Sequence, residues 1–414
     1  MSNVMSDGLN RPVPFPAFVL DKICLGMPAK TYAKSLLTKT NAIYAAILAI
    51  GLPTLAYRYW KGMGAVSNLS QTNPWGIWVG INIICGIALA AGGYTVAATV
   101  YVFGLEQYRP ILRPAILTGF LGYVCAISGL IVELGQPWRL PYQLFLTPGT
   151  TAVMFEVGMC AFAYLIVLGL EMLPAGLEWL GLARARRIMG TLTIGIVVLG
   201  ITLSTLHQAS LGAFFLMVPG KLHPLWYSPY LHVFFFISSI SAGIGMIIFE
   251  STVSRRAFRD ELDPEAPVDL DALQLGLAKG GAVVLFATFF IRLQGLVVSG
   301  RWDLLFTGWG AWFALELVGF ILLPSLLFAF AVRTQSVTLT RAAAVMAVLG
   351  VVLNRINVSL IAYNWNVPAS DRYVPSMGEI VLTILLLTCG VLAFRWIVNR
   401  MPVLREHPDW RGSH

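Results

Sequence analysis

Nine ionisable side chains stand inside stretches of sequence that are otherwise apolar: Glu133, Glu156, His207, His232, Glu250, Arg292, Glu316, Arg355 and Glu379. In hydrocarbon each such group costs a few kcal/mol, so each is read first as a working group. Carboxyls and imidazoles can pass protons at neutral pH once their surroundings tune them. Arg beside Glu can anchor a polar ligand or form a proton relay, and the bland alternative is that Arg292 and Arg355 pair with Glu156 and Glu316 as internal glue. Gln208, Gln294, Asn354, Asn357 and Asn364 add neutral hydrogen-bonding groups nearby.

The elements that must hold these groups are membrane spans. Of 414 residues, 57% are hydrophobic and only 12% charged, with a mean hydropathy of +0.75. A soluble domain carries roughly a quarter charged residues, so a water-facing surface is excluded. Ten apolar runs are long enough to cross a bilayer, at about 40–59, 76–103, 114–134, 150–172, 189–214, 229–252, 275–298, 309–331, 342–363 and 376–398. They must be helices, because lipid leaves no partner for an open backbone. Residues 1–39 form an N-terminal cytoplasmic or interfacial segment, without the charged-then-apolar pattern of a cleaved leader. The membrane domain covers 40–398 and a tail follows over 399–414.

Net charge is +8, yet the basic residues form no cluster interleaved with aromatics, which argues against nucleic acid. Twenty of the 28 Lys and Arg fall on the side of the termini, six on the opposite side and two inside spans. The positive-inside rule therefore places both termini in the cytoplasm. Nine of the 12 tryptophans lean to the outer side, in loops such as Gly135–Tyr142 and His223–Pro229, whose shape suits a docked partner.

Spans 2–5 and 6–9 look alike. Gly135-Gln-Pro-Trp-Arg-Leu follows span 3 and Gly300-Arg-Trp-Asp-Leu-Leu follows span 7; the next spans open with Glu156 and Glu316. The expected fold is thus an all-α integral membrane protein of ten helices, with two parallel-repeat four-helix bundles and flanking spans 1 and 10. Within it, Glu133, His207, His232 and Glu379 lie just beneath the outer face. Glu156, Glu316, Arg292 and Arg355 come out about two turns deeper, and Glu250 alone is near the cytoplasm. Together they suggest a polar chamber opening outward. It holds no evident redox centre: His207 and His232 are the single pair that could ligate one haem, and the five cysteines have no metal-binding spacing.

Three blocks then carry a resemblance. Asn73-Pro-Trp-Gly-Ile-Trp78, Gly86-Ile-Ala-Leu-Ala-Ala-Gly-Gly-Tyr94 and Tyr108-Arg-Pro-Ile-Leu-Arg-Pro-Ala115 resemble the NrfD-like (polysulfide reductase) family of membrane quinone-interacting subunits. Ser204-Thr-Leu-His-Gln-Ala-Ser-Leu-Gly212 with Lys221-Leu-His-Pro-Leu-Trp226 is similar to its HybB-type branch, which includes membrane subunits of nickel–iron uptake hydrogenase and of menaquinone reductase. The likeness covers roughly residues 70–400. It implies a haem-free, iron–sulfur-free subunit in a bacterial inner membrane that binds menaquinone near the outer face. Electrons would come from a periplasmic ferredoxin-like iron–sulfur subunit, fed by a molybdopterin-type, hydrogenase or multihaem cytochrome c subunit.

On that basis His207 is the expected proton donor to the quinone. Gln208 and Glu133 orient it or bind the second carbonyl, while Trp138 and Arg139 cap the pocket. Protons drawn from the cytoplasm would pass Glu250 and Tyr94, then Glu156, Arg292, Glu316 and Arg355. A one-haem hydrogenase anchor and a secondary transporter are the competing readings.

Overall fold

The computed structural model describes residues 22–261 and 268–405; the far N-terminus and the end of the tail, with His407 and His414, lie outside the described residues. Ten helices are long and apolar enough to cross a membrane. We number them α1 (Lys39–Lys61), α2 (Trp78–Val102), α3 (Glu106–Glu133), α4 (Val153–Leu180), α5 (Ala183–Leu216), α6 (Leu231–Ala257), α7 (Leu270–Ser299), α8 (Gly308–Arg333), α9 (Val337–Ile361) and α10 (Met377–Val398). The chain is a multi-pass membrane protein, all-α among the described residues. "Outer" denotes below the end carrying loops 62–77, 134–152, 217–230, 300–307 and 362–376.

Local sequence sets where these helices begin. Thr38 accepts from Asn41 N at α1, Asp269 from Ala272 N at α7, and Ser336 from Leu339 N at α9. Such side-chain oxygens satisfy amides that have no partner within the helix. At α10 Ser376 and Glu379 form a reciprocal capping box. Glu379 also accepts from Asn68 N and Tyr373 Oη, so this buried carboxylate ties the 62–77 loop to α10. Arg58, near the outer end of α1, is buried as well and donates to the carbonyls of Val132 and Leu134 at the end of α3.

The helices pack in two rings. Helices α2–α3, α3–α4, α4–α5 and α5–α2 touch in one; α6–α7, α7–α8, α8–α9 and α9–α6 touch in the other. Helix α6 joins the rings by packing on α2 and α5, and α1 and α10 pair alongside α3. The α2–α6 approach depends on Gly243, where a methyl group would sit 2.9 Å from the Ala91 carbonyl oxygen. Small residues permit such contact where no hydrophobic effect drives helices together. That the rings arose as a sequence repeat is a proposal resting on the matched segments above.

Three spans are wound more loosely in part, with π-helical geometry over Trp78–Cys85 in α2, Leu315–Leu322 in α8 and Asn357–Ile361 in α9. These segments carry Asn82, Glu316 and Asn357. Wide turns of this kind re-aim side chains and recur at functional positions.

Candidate functional site

The second ring gathers its charges around Glu316, which is fully buried. Arg292 and Asn354 donate to Oε1 at 2.8 and 2.7 Å; the Trp226 indole and Asn357 donate to Oε2 at 2.7 and 2.5 Å. Both oxygens are therefore doubly satisfied. Trp312 in turn donates to Asn357 at 3.0 Å. Arg355 takes no carboxylate. It donates to Asn354 Oδ1, Ser238 Oγ and the Phe235 carbonyl, with its guanidinium 3.7 Å from the Phe235 ring centre.

This arrangement corrects one expected pairing. Glu156 stays apart, exposed in the first turn of α4, where Ser210 donates to it at 2.5 Å. Helix α4 starts only at Val153, so the acid is at the helix mouth and not two turns deep. Trp138 and Arg139 stand exposed on a short 3-10 turn, whereas His223 and Trp226 are turned inward and buried. The 217–230 loop is held in place by hydrogen bonds from His223 N to Ala362 O and from Asn364 N to Lys221 O. His223 stacks on Trp309, its Nδ1 accepts from Leu225 N, and burial lowers its pKa to about 4.

The first ring is the reverse. His207 is fully buried on α5, and the Tyr123 hydroxyl of α3 meets its Nδ1 at 2.9 Å. Its Nε2 has no partner. With the phenol donating to Nδ1, the neutral ring carries its hydrogen on Nε2, an unused donor. The same ring holds more unpartnered atoms: Gln208 Oε1, both amide atoms of Asn82, Ser204 Oγ and Tyr164 Oη. Gln208 does not orient His207; it donates to the Ile87 carbonyl where α2 loosens, at 2.9 Å. Glu133, at the end of α3, leaves Oε2 buried and unpartnered. Tyr123 and Tyr164 pack edge to face with centroids 4.8 Å apart. An orphaned buried polar group costs about 1–3 kcal/mol, so several in one place mark a site built for something else.

Nearer the inner face, Tyr94 of α2 meets Ser239 of α6 at 2.9 Å, and Glu250 lies one turn from Ser254 on α6 at 3.5 Å. A cavity of about 1090 Å³ opens between the inner ends of α2–α5, lined by Tyr101, Arg109, Ile116, Ile194 and Val197 among others. Glu171 reaches it from α4 and makes no hydrogen bond or ion pair among the described residues; a methyl group at Gly200 would come within 3.0 Å of its carboxylate. Glu171 falls at the very end of the apolar run 150–172 and reads there as a helix-end acid, whereas the helix continues two more turns to Leu180. Tyr123, Tyr164 and Asn82 gave no signal either, since neutral residues in a span carry no obvious cost.

Eight helices in two rings, with two more packed alongside, define a polytopic all-α membrane protein among the described residues. The chain belongs to the NrfD family: the family model described as polysulphide reductase, NrfD, matches residues 65–365. A protein of Nitratidesulfovibrio vulgaris (strain Hildenborough) is 47% identical over 381 residues, 92% of this chain and 98% of the relative. The probable Ni/Fe-hydrogenase 2 b-type cytochrome subunit of Escherichia coli (strain K12) is 28% identical, across 89% of this chain and 93% of its own. The integral membrane subunit of menaquinone reductase from the same Nitratidesulfovibrio strain is 23% identical, across 84% and 87%.

Proposed function

We propose that this chain is the membrane subunit of a respiratory oxidoreductase complex and that it binds menaquinone in the outer half of the first ring. The observation that carries the reading is the set of unpartnered donors and acceptors around His207. A quinone carbonyl accepts hydrogen bonds, and His207 Nε2 and Asn82 Nδ2 are unused donors able to supply them. Gln208, through the second hydrogen of its amide nitrogen, and Glu133 in its protonated form serve the second carbonyl, and Trp138 and Arg139 stand on the outer rim. All the inner groups are enclosed, so access for a ring requires the outer ends of α2, α3 and α5 to separate.

Reduction needs two electrons and two protons. His207 gives a proton to the carbonyl oxygen and recovers one through Tyr123, which holds its other nitrogen. Resupply runs from the inner side: the cavity delivers water to Glu171, and Tyr164, Ser204 and Tyr123 continue toward His207. Tyr94 and Glu250 form a second inner branch. Glu156, Arg292, Glu316 and Arg355 hold shape in this scheme, because the donors around Glu316 leave that carboxylate no open position. Both termini are cytoplasmic, in a bacterial inner membrane. The electrons come from a periplasmic ferredoxin-like iron–sulfur subunit on the outer loops, served by a molybdopterin-type, hydrogenase or multihaem cytochrome c subunit. The names of the relatives above, one a menaquinone reductase subunit and one a hydrogenase subunit, support this placement.

The test is purification of the intact complex from native membranes. We expect an iron–sulfur partner, extractable menaquinone, and reduction of a soluble menaquinone analogue that draws protons from the cytoplasmic face. A chain that purifies without quinone and leaves the analogue unreduced overturns the reading. A Soret band that belongs to this chain overturns it in favour of a haem anchor.

A further inference from the structure

At the inner ends of α6, α7 and α9 four arginines converge on one pocket of about 380 Å³, lined by Thr252, Arg255, Arg256, Arg259, Asp271 and Arg341. We propose that this pocket seats the phosphate headgroup of an anionic phospholipid, whose chains run along the seam between α6 and α9. The inference is independent of what the outer site binds.

Charge is the first argument. Asp271 is the single carboxylate in the lining, and it is shared by Arg255 at 3.2 Å and Arg341 at 2.7 Å. Arg341 is fixed further by Gln274 Oε1 at 2.9 Å, and Gln274 is itself held by Ser251 and Thr252. Glu261, in the following turn, pairs with Arg405 instead. Arg256 and Arg259 have no ion pair among the described residues. Among the described residues, two anchored guanidiniums and two without an ion pair surround one carboxylate and leave an excess of positive charge facing a small cavity. Planar forks of donors suit a phosphate's oxygens better than any other common cellular anion in a membrane.

Placement is the second argument, and it selects a lipid over a soluble anion. Basic pockets between spans at the cytoplasmic level are where anionic headgroups bind. On α6, Phe249 and Val253 share a face with Arg256 by helical spacing; on α9, Val345 and Leu349 share one with Arg341. All four apolar residues are exposed on the bundle surface. Helices α6 and α9 pack against one another, and each carries an exposed apolar stripe running from its arginine toward the middle of the membrane. A free phosphate uses only the pocket, whereas a phospholipid uses both pocket and stripes.

The experiment uses the full chain in phosphatidylcholine nanodiscs with added phosphatidylglycerol, counting retained lipid by native mass spectrometry. The wild type should hold phosphatidylglycerol in preference to phosphatidylcholine. Arg256→Ala with Arg259→Ala should weaken it at least about tenfold, since two charge-assisted donors are lost. Arg184→Ala with Arg187→Ala removes the same charge elsewhere on this face and should leave retention unchanged. Equal loss in both double variants, or none in the first, overturns the proposal. So does inorganic phosphate that binds as tightly as the lipid. If the double alanine variant fails to fold, Arg256→Lys keeps the charge without the fork and should still weaken retention; unchanged retention there counts against a built phosphate seat.

Discussion

The second ring buries more polar side chains than the first, and the two differ in how far those groups find partners. Around Glu316 in α6–α9, four donors meet two oxygens, and Arg355 is spread over three acceptors, with its Nε, Ser241 Oγ and His232 Nδ1 left unpartnered in that ring. Around His207 in α2–α5, the imidazole has one partner, Gln208 has one, and Asn82 has none. Charge inside a membrane is therefore a poor guide to function taken alone. The carboxylate of Glu316 has its acceptor positions filled, whereas the neutral groups around His207 leave bonds unmade, and on that difference the proposed site rests. The family likeness covers both rings and does not choose between them.

The largest effect should come from the first ring. His207→Ala is expected to lower quinone turnover by about 10²–10⁴-fold, the usual contribution of a positioned proton donor. Assembly with partner subunits and thermal stability should be nearly unchanged, as judged by co-purification and a melting curve. Tyr123→Phe keeps the ring and removes the hydroxyl, and should cost less, about tenfold, in the same assay. Turnover at the wild-type rate in the first variant would remove the first ring from consideration as the site.

Next comes the second ring, where the readout changes from rate to stability. Glu316→Leu strands Arg292 without a carboxylate, and breaking one partner of a buried pair costs about 3–5 kcal/mol. A large drop in melting temperature or yield is expected. Glu316→Gln keeps two acceptor positions and should be milder. If the Gln variant instead folds at full yield and loses proton uptake, the ring is a relay and the contrast drawn here is wrong. Glu171→Gln sharpens the same point from the other ring. It should slow turnover and proton uptake from the inner side together by about tenfold, while quinone still binds; unchanged uptake would send the proton route elsewhere.

The fold was largely legible in the residues. Each of the ten apolar runs overlaps its helix over most of its length, since hydrocarbon thickness fixes how many apolar residues a span needs. The site was legible only in part. Glu316 and Arg292 announce themselves as charges, and they are indeed bonded to each other. The partner of Arg355 was not legible, because reading depth from run ends put Glu156 deeper than its place in the first turn of α4. The π-helical stretches, which aim Asn82 and Asn357, follow from tertiary packing and leave no mark on apolar periodicity. Trp226 read as one of many interfacial tryptophans; its role depends on a loop folding inward, which no local pattern encodes.

The smallest expected effect tests how that loop supports the second ring. Trp226 reaches Glu316 only while the 217–230 loop is folded in, and His223 sits in its turn, stacked on Trp309 with a centroid distance of 4.9 Å. Trp226 N and Tyr227 N also donate to the His223 carbonyl. Burial holds the imidazole at a pKa of about 4, against an ordinary 6.5. Between those values the unfolded chain binds a proton that the folded loop refuses. Stability must then fall as pH drops from about 6.5 toward 4, by roughly 1–2 kcal/mol at pH 5. Replacing His223 by Gln removes the titrating group, so the melting temperature should lose that part of its acid slope while remaining close to the wild type at pH 7.5. An unaltered slope would mean that the loop gives way to acid through some other group, and that Trp226 is not held in place by a neutral His223.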